Sequence, residues 1–413
     1  MKHTSLDSAI LFALVIPFIM GVSIGADETP YWLFALIFLF MLVYVSLDIF
    51  GLRKSLYEKA KTVLLWVIIV TVIGSAFSAA IVKRHRTAPI YNVHDIVLQQ
   101  ESAIRFFLDG KNPYATTYFN TPLADWHYSD TEINPALYHF VMEPFYLLFA
   151  LPFYFVSNHT LGYFDGRIPL VFLFLGLLVT THFLVKDPEK KRLFLVLLAF
   201  NPAVLPYTLE GRSDLFMYPF LFLGFFLLYK KKLLLASVPI ALAFTVKQSA
   251  WLLMPFYVAF LYYQTKSWRK VIPSLLIFLT IFSAIVLPFF FWNQKAFIDS
   301  TINYLSGSTA HSYPVSGYGF GRVLNELNVI TDLHNFYPFQ WWQLGVGLPI
   351  LVLLLRSFRK NPTVKMMILF YALFLMIYWY FSRYFHNSHL SYISMVIITA
   401  YLWPEDEILQ KEK

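Results

Sequence analysis

A carboxylate, a few cations and several histidines stand out as groups able to do chemistry in a chain that is otherwise apolar. Asp95 closes the run Tyr91-Asn92-Val93-His94-Asp95. It lies in a polar and aromatic segment, 83–134, set between stretches that read as membrane spans. Loops this long are uncommon and tend to carry function. An ionised carboxylate accepts protons, so Asp95 is a candidate general base. Arg212 sits in the turn Glu210-Gly211-Arg212-Ser213-Asp214, and its planar donors match phosphate oxygens. Lys247-Gln248 follows an apolar run, 233–246, that reaches only roughly 21 Å as a helix, short of a full crossing. An ammonium held there needs an anion, and a lipid phosphate would serve. Arg383 heads Arg383-Tyr384-Phe385-His386-Asn387-Ser388-His389 and is a further phosphate candidate. A base and cations just outside a bilayer suit chemistry on a lipid-borne substrate.

Each of these residues has a plainer reading. Asp95, ahead of the helical run 96–109, is the type of residue a helix N-cap prefers. Lys247 can snorkel at a hairpin tip, and the 210–214 turn can close on its own salt bridges. His386 and His389, three apart, can share a helix face and bind a metal, or make ordinary interfacial hydrogen bonds. Asp125, Asp130 and Glu132 offer oxygen ligands for a divalent cation. Glu101 and Asp109 read as solvated helix charges. Tyr304, Tyr313, Tyr318, Trp341 and Trp342 can stack on sugar rings, line an acyl groove or belong to an interface belt. Gly317-Tyr318-Gly319-Phe320-Gly321 has no strand before it, so it reads as flexible backbone and not as a dinucleotide site. Asn158-His159-Thr160 matches the glycosylation sequon.

These residues must be positioned by membrane helices. The 413 residues are 58% hydrophobic and 14% charged, with mean hydropathy +0.59; a soluble domain carries about 25% charged residues. There are no cysteines, which excludes disulfides, thiolate zinc sites and cysteine nucleophiles. The net charge of +8 fits basic loops facing anionic lipid, and no nucleic-acid partner is expected. Candidate spans are 8–26, 31–50, 62–82, 167–185, 193–209, 214–229, 233–247, 249–263, 271–292, 341–358, 364–382 and 390–404. The first is a span and not a cleaved signal, because no small-residue cleavage site follows it.

Five short connections, around Arg53, Lys190, Lys231, Lys266 and Arg359, hold more than half of the 32 Lys and Arg, which places them in the cytoplasm. They share one side only if 134–157 does not cross. Glu143-Pro144 and Pro152 break that stretch, making it a juxtamembrane or re-entrant helix. Lys83, Arg84 and Arg86 argue against this orientation, but long loops count for less. The expected fold is an all-α polytopic bundle of about twelve spans, one integral-membrane domain with both termini cytoplasmic. The loops 83–134 and 293–340 face outward, and the tail 405–413 is a solvated end. No internal repeat stands out.

Together these pieces resemble the GT-C superfamily of integral-membrane glycosyltransferases, and within it bacterial and archaeal members of the family 87 and mannosyltransferase type. The matching residues are Asp95, Gly110-Lys111-Asn112-Pro113-Tyr114, Asn134-Pro135 with Pro144, the 210–214 turn and Lys247-Gln248, over residues 60–390. The family often has Tyr-Pro-Pro where this chain has Glu132-Ile133-Asn134-Pro135.

The resemblance implies a polyprenyl-phosphate-linked sugar donor, a lipid, glycan or protein acceptor, and an outward-facing site in a bacterial or archaeal plasma membrane. It implies juxtamembrane helices at 96–108 and 134–156. Asp95 would be the base, and Lys247, Arg212 and Arg383 the ligands of the donor phosphate. His94, Tyr114, Glu210, Asp214, Gln248, Tyr313 and His386 would contact substrate. Some branches of the superfamily need a divalent cation and others do not. Two alternatives stay open: a polysaccharide ligase or polymerase using lipid-linked sugars, and a lipid or sugar transporter, which should show two related halves.

Overall fold

The computed structural model describes residues 5–21, 30–50, 52–127, 129 and 132–405. Asp130, positions 22–26 of the first expected span and positions 406–413 of the tail lie outside the described residues. Helix makes up 74% and strand 1%, so the chain is all-α. The first helices are α1 (Leu6–Gly21), α2 (Tyr31–Ile49) and α3 (Lys54–Thr87). The polar region holds α4 (Asp95–Leu108), α5 (Pro144–Leu148) and α6 (Leu151–Leu161). There follow α7 (Arg167–Leu184), α8 (Pro188–Ala199), α9 (Leu205–Leu209), α10 (Asp214–Tyr229) and α11 (Leu233–Phe244). Next come α12 (Met254–Thr265), α13 (Trp268–Trp292), α14 (Gln294–Ile298), α15 (Tyr304–Ser306) and α16 (Phe320–Glu326). The last are α17 (Phe339–Lys360), α18 (Val364–Tyr380) and α19 (Asn387–Leu402).

Among the described residues, α2, α3, α7, α13 and α17 are long and apolar enough to cross a bilayer, while α10, α11 and α18 are shorter apolar helices. Two expected spans are not continuous rods. The stretch 193–209 breaks at Asn201-Pro202 between α8 and α9, because proline lacks the amide hydrogen a helix interior needs. The stretch 249–263 begins with a tighter 3-10 segment, Gln248–Leu253, before α12 starts.

The bundle has two polar ends. At one, Lys61 pairs with Asp7 at 3.0 Å and Asp48 at 2.6 Å, and Arg192 of α8 pairs with Asp7 and Glu58. At the other, Arg84 pairs with Glu101 at 2.7 Å and Asp165 at 2.9 Å. Lys61 and Arg84 stand on the same helix, roughly 35 Å apart along its axis at ~1.5 Å per residue. That separation suits a hydrocarbon layer of ~30 Å. Arg84 is therefore not a loop charge, and Glu101, 8% exposed, is not a solvated one. Each is buried because the other is there.

The stretch after Asn134 stays at the Arg84 end. Gln100 of α4 donates to the Tyr146 carbonyl at 2.7 Å, and Gly166 N–H donates to Glu101 at 3.0 Å. Neighbouring residues of one helix thus hold both the entry to α5–α6 and the exit from it, so this stretch runs out and returns. Gly162, at φ +78°, ends α6 in the left-handed conformation that glycine adopts without strain.

The Gly-x-Gly run is not flexible backbone. Two short strands, β1 (Ser316–Gly317) and β2 (Tyr384–Phe385), pair in parallel, and Tyr318 N–H donates to the Phe385 carbonyl at 2.7 Å. A Cβ on Gly317 would lie 2.1 Å from that carbonyl oxygen. Glycine there lets the 293–340 loop lie directly against the segment after α18.

Candidate active site

A cavity of about 1240 Å³ opens at the Arg84 end. Its polar wall brings together His94 and Asp95, Glu210 and Arg212, and Lys247 and Gln248. Tyr313, Arg383 and His386 line the same cavity. Two expected substrate contacts lie elsewhere. Tyr114 is 3% exposed, donates to the Met142 carbonyl at 2.8 Å and packs on Phe140 and Phe297; it is a core residue. Asp214 does not line this cavity and reaches it only through Lys247.

Asp95 is the first residue of α4. The N-cap position belongs to His94, and the Ile96 N–H helps to hold the Asp95 carboxylate. One Asp95 oxygen lies 2.7 Å from His94 Nδ1. The other accepts from Asn134 Nδ2 at 3.3 Å. Asn134 is itself held, because its Oδ1 accepts from Ala136 N–H at 3.0 Å. Burial pushes the Asp95 pKa up, but the His94 charge and the hydrogen bonds from His94 and Asn134 outweigh it, leaving the carboxyl below its ordinary range. It is ionised at neutral pH and able to accept a proton.

One buried guanidinium aligns the two strips of chain that carry Asp95 and Arg212. Arg167 donates to the carbonyls of Leu209 at 3.2 Å, Asn92 at 3.5 Å and Ala80 at 3.2 Å, while Asp165 balances its charge at 2.8 Å. His94 N–H also donates to the Glu210 carbonyl at 2.8 Å. Gly211, at φ +87°, makes this approach possible, since a Cβ there would lie 2.3 Å from the Val97 side chain.

The three expected phosphate ligands differ in what they have left to offer. Lys247 has its anion within the protein, with Asp214 at 2.7 Å. Arg383 is 2% exposed and donates to the carbonyls of Tyr313, Leu333, His334 and Asn335. It clamps the 293–340 loop and has little left for a ligand. Arg212 uses Nε on Glu210 at 3.1 Å and lies over the Tyr207 ring at 4.6 Å. Its two terminal nitrogens meet no acceptor among the described residues. Of the three it is the cation best placed to meet an anion.

His386 and His389 serve each other. His386 N–H donates to His389 Nδ1 at 2.9 Å, which caps α19, and Ser316 Oγ meets His386 Nε2 at 3.1 Å. Burial pushes the His386 pKa down. Glu132 meets His334 at 3.3 Å on the surface, and Asp125 ends the 3-10 turn Pro122–Asp125. Among the described residues no group of three or more His, Asp or Glu is arranged to hold a metal ion.

Sequence reasoning missed Glu143, taking it only as part of a helix break. It is 1% exposed; Gln248 Nε2 reaches its Oε1 at 3.1 Å, and its Oε2 has no partner among the described residues. Burial pushes its pKa up to about 8, against a smaller opposing effect from Gln248. The available signal was an acidic residue inside an apolar stretch that prolines interrupt.

No protein-family model, curated protein or solved structure matches this chain.

Proposed function

We propose that the protein is a membrane glycosyltransferase of GT-C type, moving a sugar from a polyprenyl-phosphate donor to a lipid, glycan or protein acceptor. In this reading the helices cross about twelve times, and the Arg84 end faces outward from a bacterial or archaeal plasma membrane. Both ends of the chain then lie on the cytoplasmic side. Lys190 and Arg192 of α8 support that placement, since they contact Trp403 and Asp7 at one end of the bundle.

The observation that carries the reading is an ionised Asp95 sharing one cavity with Arg212, beside an apolar wall. Trp251, Leu252, Leu305, Phe339 and Trp379 form that wall, which suits a prenyl chain. Asp95 takes the proton from an acceptor hydroxyl as its oxygen attacks the anomeric carbon. The bond from that carbon to the bridging phosphate oxygen breaks, and its electron pair leaves with polyprenyl phosphate. One displacement inverts the sugar. A positioned base contributes about 10²–10⁴-fold. Arg212 meets the charge growing on the leaving phosphate in a site of low dielectric, and Lys247, shared with Asp214, adds a second positive neighbour.

The test is purified protein in proteoliposomes given a polyprenyl-phosphate hexose and candidate acceptors. A new glycosidic bond of inverted configuration is expected. Translocation of lipid or sugar with no bond formed contradicts the reading and points to a transporter.

A further inference from the structure

The N-terminus of α19 opens into the cavity that Asp95 and Arg212 line. Asn387, Ser388 and His389, its first three residues, all border that space. Arg212 and Ser388 also share a small crevice of about 20 Å³ with Asp214, so the guanidinium and the helix end are neighbours. The first amides of a helix have no partner inside it. Here the N–H groups of Asn387 and Ser388 meet no acceptor among the described residues. The helix dipole adds partial positive charge at the same place.

A buried side chain points to the same kind of ligand. His389 is 9% exposed, its ring packs on Trp379 at 4.5 Å, and it lines the cavity. Its Nδ1 accepts from His386 N–H at 2.9 Å, which covers the Nδ1 side of the ring. Burial pushes the His389 pKa down to about 3, so the ring is neutral and carries one proton. With Nδ1 accepting, that proton sits on Nε2. Nε2–H has no acceptor among the described residues, and such a donor is commonly completed by a ligand or water.

Two amides, one imidazole N–H and the terminal nitrogens of Arg212 are thus donors without acceptors around one corner of the cavity. Glu210 and Asp214 stand close, but each already has its cation, Arg212 and Lys247. Donors alone recognise an anion, and this number suits the several oxygens of one phosphate.

We propose that the α19 N-terminus, through the Asn387 and Ser388 amides, joins His389 Nε2 and Arg212 in a cradle for the phosphate of the lipid donor. The proposal rests on the glycosyl-transfer reading and adds a helix end and a histidine to the guanidinium already assigned. As charge grows on the leaving phosphate, each hydrogen bond of the cradle strengthens.

The backbone can be tested directly. His386, ahead of the helix, is extended at φ −105° and ψ 172°, the conformation favoured before proline. Proline is tolerated at the first helical position, so Asn387→Pro removes one amide hydrogen and keeps the helix. Asn387→Ala removes the same side chain and keeps the amide. Binding to full-length protein in nanodiscs is compared for polyprenyl phosphate, the parent polyprenol and inorganic phosphate, with thermal unfolding followed in parallel. Polyprenyl phosphate should bind wild type at least about tenfold more tightly than polyprenol. Asn387→Pro should bind it at least about tenfold more weakly than Asn387→Ala, as one hydrogen bond to a charged group allows. Polyprenol should bind both variants alike.

Should Asn387→Pro fail to fold, His389→Glu makes the same comparison. Glutamate at the third helical position keeps the capping bond from His386 N–H but sets a carboxylate in place of Nε2–H, and lipid-phosphate binding should fall at least about tenfold. Polyprenyl phosphate binding unchanged by these substitutions overturns the cradle and leaves the glycosyl-transfer reading with Arg212 alone. If only inorganic phosphate responds to them, the cradle holds a soluble phosphate and its assignment to the donor is overturned. Polyprenyl phosphate binding wild type no better than polyprenol overturns the reading itself.

Discussion

Arg84 and Glu101 meet in a bidentate pair, the two terminal guanidinium nitrogens lying 2.7 and 2.8 Å from the two carboxylate oxygens. The pair joins the end of α3 to the helix that begins with Asp95. Asp165 and Arg167 extend it to the chain before Asp95 and the turn before Arg212. Asp95 and Arg212 are thus registered by buried charges on neither of them.

Removing one member of this network leaves a charge buried without its partner. Glu101→Leu should cost roughly 3–5 kcal/mol of stability, measured as a fall in thermal midpoint in detergent. Adding Arg84→Met should restore part of the loss, because the double variant buries fewer orphan charges.

Gly211→Ala tests the close approach of the Arg212 turn to α4. The left-handed backbone and the 2.3 Å approach to Val97 should together cost roughly 1–3 kcal/mol. Transfer should fall more than stability, because Arg212 shifts relative to Asp95. Adding Val97→Ala should recover part of both, leaving the backbone strain.

Glu143 carries a pH signature. Its folded pKa, about 8, lies above the ordinary value of 4.5, so the fold favours the neutral acid. The stability this contributes is fully present below about pH 4.5 and is lost as pH rises through about 8, in total roughly 5 kcal/mol. Wild type should therefore lose thermal stability between pH 5 and 8 relative to Glu143→Gln. Parallel melting curves across that window would contradict the assignment.

Asp95 has the opposite sign. With its folded pKa held below the ordinary carboxyl range, its stabilising contribution is present above about pH 4 and lost only as pH falls through the folded value. Transfer should show no loss of the base through the mildly acidic range, read as a flat kcat/KM where an ordinary carboxyl would begin to protonate.

Asp95, the 210–214 turn and Lys247-Gln248 were legible in the sequence because charge is costly in so apolar a chain and marks a cavity. The all-helical class followed from the same composition. Partners were harder to see. Glu101 looked solvated because its pattern on α4 says nothing of Arg84 on α3. Arg383 looked free for phosphate because its partners are backbone carbonyls, which a sequence does not display. Tyr114 stood in a suggestive motif yet packs into the core. Asn134 was noted as a departure from a family pattern, though it is the residue that holds Asp95. The glycine run was misjudged because tight pairing and looseness both use glycine, and only Phe385 across the gap distinguishes them.

The central claim is that Asp95 removes the acceptor proton. The direct measurement is single-turnover transfer of a labelled hexose from its polyprenyl phosphate, by wild type and by Asp95→Asn, with binding of the donor lipid measured in the same preparations. The account predicts a loss of at least about 100-fold in the transfer rate, with unchanged donor binding and thermal midpoint. Transfer within a few-fold of wild type in a folded, donor-binding Asp95→Asn protein would contradict it.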